Sequence, residues 1–279
     1  MKIIDLDFQD KQNIIASFLI EAKEPILIET GPDSTFEHLT KHLQHSGLSQ
    51  KDIKHVFVTH IHLDHSGAAW HFAKSGAKIY VHPNGAKHLI DPTRLVASAK
   101  TVYKDKLKSL FGDLEPISKE QIIVLNDEEA IDISGTNIIP IFTPGHAKHH
   151  ACFFLDDHMF TGDEGGIRIL DGPIMPPMPP PDINLKEWVL SIEKLKKYAP
   201  QFICPTHFGC FKDNTHFDIL ISQIEKYENF IQSSQNYKEF LLFIDSFFSK
   251  QSIRELYRLA NPDDMNFEGL LRYFQNTKV

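Results

Sequence analysis

His60-Ile61-His62-Leu63-Asp64-His65 places three imidazoles and one carboxylate within six residues. The stretch comes directly after the apolar run Val56-Phe57-Val58, which predicts a buried β-strand. Neutral imidazole nitrogens and carboxylate oxygens are ligands that zinc, iron and manganese accept. Binding sites tend to lie where a strand ends and a helix begins. The pattern therefore predicts a metal site at the carboxyl end of this strand, in preference to a polar loop that happens to be rich in histidine.

Three later strand ends also carry potential metal ligands. The apolar run at 138–142 leads into His146, a predicted hairpin at 152–160 leads into Asp163, and a short run at 202–204 leads into His207. Short apolar runs bounded by glycine, proline and aspartate are typical of strands and the turns that follow them. Four strand-end loops thus supply histidine or aspartate.

The rest of the chain predicts a mixture of strands and helices. Residues 3–8, 14–22 and 26–29 indicate an antiparallel meander, and the runs at 122–125 and 138–142 indicate strands of a second sheet. Residues 83–111 are helical in pattern, with a break at Asp91-Pro92.

Two features predict where helices begin and pack. Ser34 and Glu37 have the spacing of a capping box at the start of a helix. From Thr215 onward the pattern is helical, and Ile219, Ile224 and Tyr227 have the spacing of a core or dimer-interface stripe.

Composition limits the classes of partner. The chain has 279 residues, 42% of them hydrophobic, and a net charge of −8 from 29 Lys plus Arg and 37 Asp plus Glu. This acidic balance disfavours a nucleic-acid groove or an anionic membrane surface as the main partner. No early apolar stretch approaches the roughly 20 residues that span a bilayer.

The cysteines suggest a compartment. Cys152, Cys204 and Cys210 are an odd number without a Cys-x-x-Cys pair, so neither a disulfide framework nor a cysteine zinc site is expected. Acidic residues interrupt the apolar residues at the start of the chain, which disfavours a secretory signal. We expect a reducing cytoplasm.

Taken in order, the motifs His-x-His-x-Asp-His, Gly-His, Gly-Asp and Thr-His-Phe-Gly resemble those of the metallo-β-lactamase-fold hydrolase superfamily. The resemblance covers about residues 1–210. It implies an α/β fold, an αββα sandwich of two mixed β-sheets flanked by helices. It also implies a hydrolase domain at 1–210 and a C-terminal helical extension at 211–279, packed on that domain or on a partner subunit.

The resemblance also implies a binuclear centre that holds two divalent metal ions, with zinc expected and iron or manganese also suited to the ligands. The implied ligands are His60, His62 and His146 for the first ion, Asp64, His65 and His207 for the second, and Asp163 as the bridge between them. Asp64 would also orient the metal-bridging hydroxide that attacks the substrate.

The implied reaction is hydrolysis of a small ester, thioester or lactone, as in glyoxalase II and the lactonases. Phosphodiester hydrolysis on the same two ions is an alternative, and a non-catalytic metal-binding scaffold is an alternative of another class. His150 and Arg168 are candidate substrate contacts, although His150 could instead orient a ligand. The proline-rich segment 173–181 could form a wall of the cleft or merely a connection. The C-terminal helices could form a homodimer interface.

Overall fold

The computed structural model describes residues 1–277, which divide into two compact units, Met1–Phe142 and a second unit that starts at Thr143. The strands form two mixed sheets, one of six strands and one of five, and helices flank them. Further helices follow the last strand.

The six-stranded sheet lies in the first unit, and its strands are arranged in sequence order. The strands are β1 (Lys2–Asp5), β2 (Ala16–Ile20), β3 (Ile26–Ile28), β4 (His55–Phe57), β5 (Lys78–Val81) and β6 (Ile122–Val124). The predicted antiparallel meander of β1 to β3 is confirmed, and β3 to β6 then pair in parallel. Every residue of β2 and β3 is buried, as is typical of strands covered on both faces.

Six helices connect the strands of the first unit. They are α1 (Phe36–His45), α2 (Leu63–Ser66), α3 (Ala69–Lys74), α4 (Pro83–Ile90), α5 (Thr93–Tyr103) and α6 (Leu107–Phe111). The break at Asp91-Pro92 falls between α4 and α5, as predicted. The predicted capping box is wrong, because the hydroxyl of Ser34 donates instead to the carbonyl of Leu110, 2.6 Å away.

The prediction for residues 122–125 was half right. They form a strand, but β6 pairs in parallel with β5 in the first sheet, with Ile122 opposite Ile79. An apolar run indicates a buried strand without indicating which sheet it joins. The first unit also contains a hairpin, formed by β7 (Ile131–Ile133) and β8 (Thr136–Phe142).

The second unit contains three strands. Strands β9 (Ala151–Leu155) and β10 (His158–Phe160) form the predicted hairpin, and β11 (Phe202–Cys204) pairs in parallel with β10. The helices of this unit are α7 (Leu185–Lys196), α8 (His216–Ser233), α9 (Tyr237–Asp245), α10 (Gln251–Ala260) and α11 (Asp263–Thr277).

A disulfide joins Cys204 to Cys210, so the expectation that these cysteines are unbonded is wrong. Ile203 and Phe211 exchange two backbone hydrogen bonds, of 2.9 and 2.8 Å. This antiparallel bridge brings the two ends of the loop together and leaves the cysteine Cα atoms 4.1 Å apart. The spacing of the cysteines in the sequence does not show that the chain turns back at this point, so it could not predict the disulfide.

The C-terminal helices pack through part of the predicted stripe. Ile224 and Tyr227 are buried, whereas Ile219 is 40% exposed and does not belong to the core. The buried Arg254 on α10 forms ion pairs with Asp245 (2.8 Å) and Asp263 (2.6 Å). Within residues 1–277, no helix has both the length and the apolar character needed to cross a membrane.

Candidate metal centre

His60 and His62 follow β4, and their side chains meet in the first unit. The Nε2 atom of His60 lies 2.9 Å from Nδ1 of His62, and the hydroxyl of Thr59 lies 3.0 Å from Nδ1 of His60. His60 is fully buried. The contact with Thr59 occupies one ring nitrogen of His60 and directs the other toward His62, as expected for two ligands of one ion.

Asp64 and His65 form a second group on α2. The Nε2 atom of His65 lies 3.7 Å from Oδ2 of Asp64, and its Nδ1 atom forms a short hydrogen bond with Oε2 of Glu29. The other carboxylate oxygen of Glu29 accepts a hydrogen bond from the backbone N–H of Thr59, at 2.6 Å. Glu29 is fully buried and therefore fixes the ring of His65 and the start of the motif together.

Sequence reasoning did not assign Glu29 to the site. The available signal was its position, because Glu29 directly follows the buried strand β3, as the predicted aspartate and histidine ligands follow their strands. A carboxylate at a strand end is therefore a candidate either for a metal ligand or for a residue that orients a ligand.

In the second unit, Asp163 lies between two histidines. One carboxylate oxygen is 3.3 Å from Nε2 of His146, and the other is 3.4 Å from Nε2 of His207. All three side chains are buried. An aspartate that presents a different oxygen to each histidine has the arrangement of a carboxylate shared by two ions.

The orientation of His146 is fixed from the side opposite Asp163. Its Nδ1 atom lies 3.0 Å from the carbonyl oxygen of Pro177, which can only accept a hydrogen bond. Nδ1 therefore carries the proton, and Nε2 turns a lone pair toward the carboxylate of Asp163. Two facing acceptors require a shared cation, a proton or a metal ion, so this donor set fits a divalent ion. Through Pro177, the proline-rich segment positions a predicted metal ligand.

Helix α7 holds the loop that carries His146. The hydroxyl of Ser191 donates to the carbonyl of Pro144 at 2.8 Å, and the indole N–H of Trp188 donates to the carbonyl of Glu164 at 2.8 Å. Gly145 permits the close approach, because a Cβ atom there would lie 2.4 Å from the Cα atom of Trp188.

Glu164 lies behind Asp163 and accepts a hydrogen bond from the backbone N–H of His146, at 3.2 Å. Burial raises the pKa of Glu164 well above its usual range, and the neighbouring Asp163 raises it further. The side chain of Glu164 is fully buried.

The two candidate substrate contacts are both bonded within the second unit. His150 is fully buried, and its Nδ1 atom lies 2.8 Å from the hydroxyl of Thr143. Arg168 donates to Asp213 at 2.8 Å and lies over the ring of Phe211. Hydrogen bonds from Thr215, with help from Arg168, hold the pKa of Asp213 at about 2, so this pair is charged at neutral pH. Substrate contact by His150 or Arg168 stays a prediction.

The structure thus groups the predicted ligands within each unit. The first unit brings together His60 with His62 and Asp64 with His65, and the second unit places Asp163 between His146 and His207. A two-sheet fold whose strand ends carry these groups defines a class of metal-dependent hydrolase. The chain belongs to the metallo-β-lactamase superfamily, whose family model matches residues 11–207.

Among curated proteins, the chain is similar to a metallo-β-lactamase fold-containing protein, ST1585, of Sulfurisphaera tokodaii. The two are 30% identical over 162 residues, which cover 56% of this chain and 61% of that protein. This chain is also 30% identical over 113 residues to an atrochrysone carboxyl ACP thioesterase of Aspergillus fumigatus, and the match covers 40% of this chain and 27% of the thioesterase. The matched part is therefore less than two thirds of either relative.

Solved structures share the fold. The crystal structure of the archaeal ST1585 superimposes with a TM-score of 0.68 at 23% identity, covering 92% of this chain and 93% of that one. The metallo-β-lactamase family protein TTHA1429 of Thermus thermophilus gives a TM-score of 0.69 at 20% identity, covering 95% and 89%. These likenesses confirm the predicted two-sheet fold with added C-terminal helices.

Proposed function

We propose that the chain is a binuclear metal-dependent hydrolase of a small ester, thioester or lactone. The observation that carries the proposal is Asp163, which presents one carboxylate oxygen to His146 and the other to His207. Among the three substrates we favour a thioester, because two relatives, in Aspergillus fumigatus and Emericella nidulans, are named as thioesterases.

The proposed ligands are those that the motifs of the family imply. They are His60, His62 and His146 for one ion, Asp64, His65 and His207 for the other, and Asp163 for both. Two divalent ions, zinc by preference, would activate water as the nucleophile and polarise the carbonyl group of the substrate. Zinc is preferred because imidazole nitrogen dominates the donor set, although iron and manganese accept the same ligands.

The chain's own residues act by orientation and exclusion of water. Glu29 and the carbonyl of Pro177 hold protons on Nδ1 of His65 and His146, so that Nε2 of each ring keeps its lone pair for the ligand role. Burial of His60, His65 and Asp163 keeps bulk water from competing for these atoms. Asp64, which is partly exposed, can accept a hydrogen bond from the attacking water and so orient it.

A test compares the metal content and turnover of the wild type with those of Asp163→Ala. We expect the variant to bind substantially less metal and to lose at least about a hundredfold in turnover, because both ions lose a ligand. Asp157→Ala changes a partly exposed aspartate in the same unit, which pairs with His158 at 2.6 Å, and should leave both quantities unchanged. Full metal content and full turnover in Asp163→Ala would contradict the assignment.

The choice of reaction needs three substrates on one metal-loaded preparation: a thioester, a lactone and bis-nitrophenyl phosphate. Turnover of the thioester or the lactone supports the proposal. Turnover of the phosphodiester alone would establish the alternative reaction. Firm metal binding without turnover of any hydrolysable substrate would favour the non-catalytic scaffold.

We also propose a small-molecule substrate, without nucleic acid or membrane as partners, a location in the cytoplasm, and a homodimer through the C-terminal helices. The net charge of −8 supports a small-molecule substrate over nucleic acid or an anionic membrane.

Leu242 on α9 is 71% exposed and supports the dimer. Sedimentation should show a dimer that Leu242→Glu dissociates, whereas a monomeric wild type would exclude it. Thiol labelling of protein from gently lysed cells would test the location, because a Cys204–Cys210 disulfide that persists in the cell would exclude the cytoplasm.

A further inference from the structure

The first unit contains a groove of about 350 Å³ that the proposed hydrolysis has not used. Apolar side chains and three lysines line it, among them Leu63, Val96, Leu107, Lys100, Lys104 and Lys108. Two carboxylates, of Asp105 and Asp113, also lie in the lining and leave an excess of one positive charge. We refer to these three apolar residues and the three lysines as the lysine groove. Its volume falls at the lower end of the range for small-molecule sites, so it suits one end of a ligand.

The lysine groove lies in the basic part of an acidic chain. Residues 93–113 contain five cationic side chains and two acidic side chains, Asp105 and Asp113, although the whole chain carries a net charge of −8. A local concentration of positive charge raises the local concentration of anions and increases the rate at which they bind.

Two of the three lysines are available to a ligand. The ammonium groups of Lys100 and Lys104 form no hydrogen bond or ion pair with any residue in the part of the chain that the structure describes, 1–277. Lys108 pairs with Asp113 at 3.1 Å, but both side chains are largely exposed. Such a surface pair is weak and would exchange readily for an anionic ligand.

The wall opposite α5 is held in place by contacts within the unit. The backbone N–H of Asp113 donates to Asp33 at 2.8 Å, and the indole N–H of Trp70 donates to the carbonyl of Asp113 at 3.1 Å. Gly112 allows this packing, because a Cβ atom there would lie 2.2 Å from the carboxylate of Asp33. The groove is therefore preformed on this side, which lowers the entropic cost of binding.

Leu63 links the groove to the candidate metal centre. Its side chain lines the groove and is only 6% exposed, and its neighbours in sequence are His62 and Asp64. A ligand that occupies the groove therefore lies against the same turn of chain that carries predicted metal ligands. This placement suits the part of a substrate next to the bond that is cleaved.

We propose that the lysine groove binds the phosphate-bearing carrier end of an acyl thioester, with phosphate at Lys100 and Lys104 and the apolar part of the carrier against Leu63, Val96 and Leu107. Lysine suits phosphate because it acts as a compact point charge that can approach from several directions. This inference rests on the proposed hydrolysis and names the substrate that the site selects.

The first experiment measures binding without turnover. S-octyl coenzyme A is a thioether that cannot be hydrolysed, and its affinity for the metal-loaded protein can be measured by titration calorimetry. We expect the double variant K100Q/K104Q to weaken binding about tenfold, equivalent to about 1.4 kcal/mol. The matched control K106Q/K119Q removes two lysines that do not line the groove and should change the dissociation constant less than about twofold.

The second experiment measures turnover of two thioesters with the same acyl group, one of coenzyme A and one of N-acetylcysteamine, which has no phosphate. In K100Q/K104Q, we expect KM for the coenzyme A thioester to rise about tenfold while KM for the uncharged thioester and both kcat values are retained. Equal changes for both thioesters, an equal effect of the control, or no binding of the thioether by the wild type would overturn the proposal.

The two experiments also separate the two proposals. Lysine-dependent binding of the thioether without hydrolysis of either thioester would support the groove and reject thioester hydrolysis. Hydrolysis of both thioesters with unchanged binding in K100Q/K104Q would support the hydrolase and reject the groove.

Discussion

Glu29 connects the first sheet to the candidate metal centre through two hydrogen bonds. It holds the Nδ1 atom of His65 with one carboxylate oxygen and the backbone N–H of Thr59 with the other. Because both contacts are buried, removing the charge of Glu29 affects the orientation of His65 and the start of the ligand motif together.

For Glu29→Gln, we therefore expect metal affinity to fall about 10- to 100-fold at the position that includes His65. Competition with a chelating dye would measure the affinity, and cobalt substitution would reveal a change in the visible spectrum of that position. Glu37→Gln, an exposed change on α1, serves as the control. An unchanged spectrum and affinity in Glu29→Gln would show that the carboxylate does not orient His65.

At the scale of residues, the sequence indicates the proposed ligands more readily than the residues that orient them. His60, His62, Asp163 and the other proposed ligands stand out because polar residues at buried strand ends need a chemical reason. Glu29 and the carbonyl of Pro177 could not be assigned as readily, because their roles depend on contacts across 36 and 31 positions of sequence.

At the scale of elements, α7 determines where the loop of His146 can lie. Gly145 packs against the backbone of Trp188, and the hydroxyl of Ser191 holds the carbonyl of Pro144. Backbone atoms of a helix cannot move aside as the end of a flexible side chain can. The loop and the helix therefore form one rigid support.

The variant Gly145→Ala should destabilise the protein by about 1–3 kcal/mol, because a methyl group must fit where Trp188 already lies. We expect metal content to fall as well, since the displaced loop carries His146. Urea unfolding and elemental analysis measure the two effects. Lys148→Ala alters a largely exposed side chain in the same loop and should change neither. Normal stability and metal content in Gly145→Ala would show that α7 does not constrain the loop.

The elements also show where prediction from sequence ends. The meander, the hairpin of β9 and β10 and the helix break at Asp91-Pro92 follow from local patterns and are confirmed. Two features were not predicted: the sheet that β6 joins and the disulfide that encloses His207. The first depends on pairing with a strand about 40 residues away, and the second depends on a loop that folds back on itself. Apolar periodicity indicates which residues are buried, but it does not indicate which strand or segment they pair with.

At the scale of the whole molecule, buried histidines make stability depend on pH. Burial lowers the pKa of His216 to about 4, with a further decrease from Arg168 and an opposing increase from the hydrogen bond to Gly165. The unfolded chain takes up this proton near pH 6.5, whereas the folded chain does not until about pH 4. The stability from a neutral His216 is therefore present above pH 6.5 and is lost as the pH falls toward 4.

We expect protonation of His216 in the unfolded chain to lower the free energy of unfolding by about 2 kcal/mol as the pH falls from 6.5 to 5. The difference between wild type and His216→Gln should therefore shrink as the pH falls over this range, as measured by urea unfolding at several pH values. His45→Gln, at an exposed position, should keep the slope of the wild type. Parallel curves for wild type and His216→Gln would show that His216 titrates normally in the folded protein.

The disulfide between Cys204 and Cys210 has a practical consequence for the biochemistry of this protein. It closes a small ring that contains His207, so a reductant added during purification opens the ring that carries a proposed ligand. Dithiol reductants also bind soft divalent ions through their own sulfur atoms. The thiol content of the buffer and the metal content of the protein are therefore coupled variables, and activities from two laboratories are comparable only when both have been fixed.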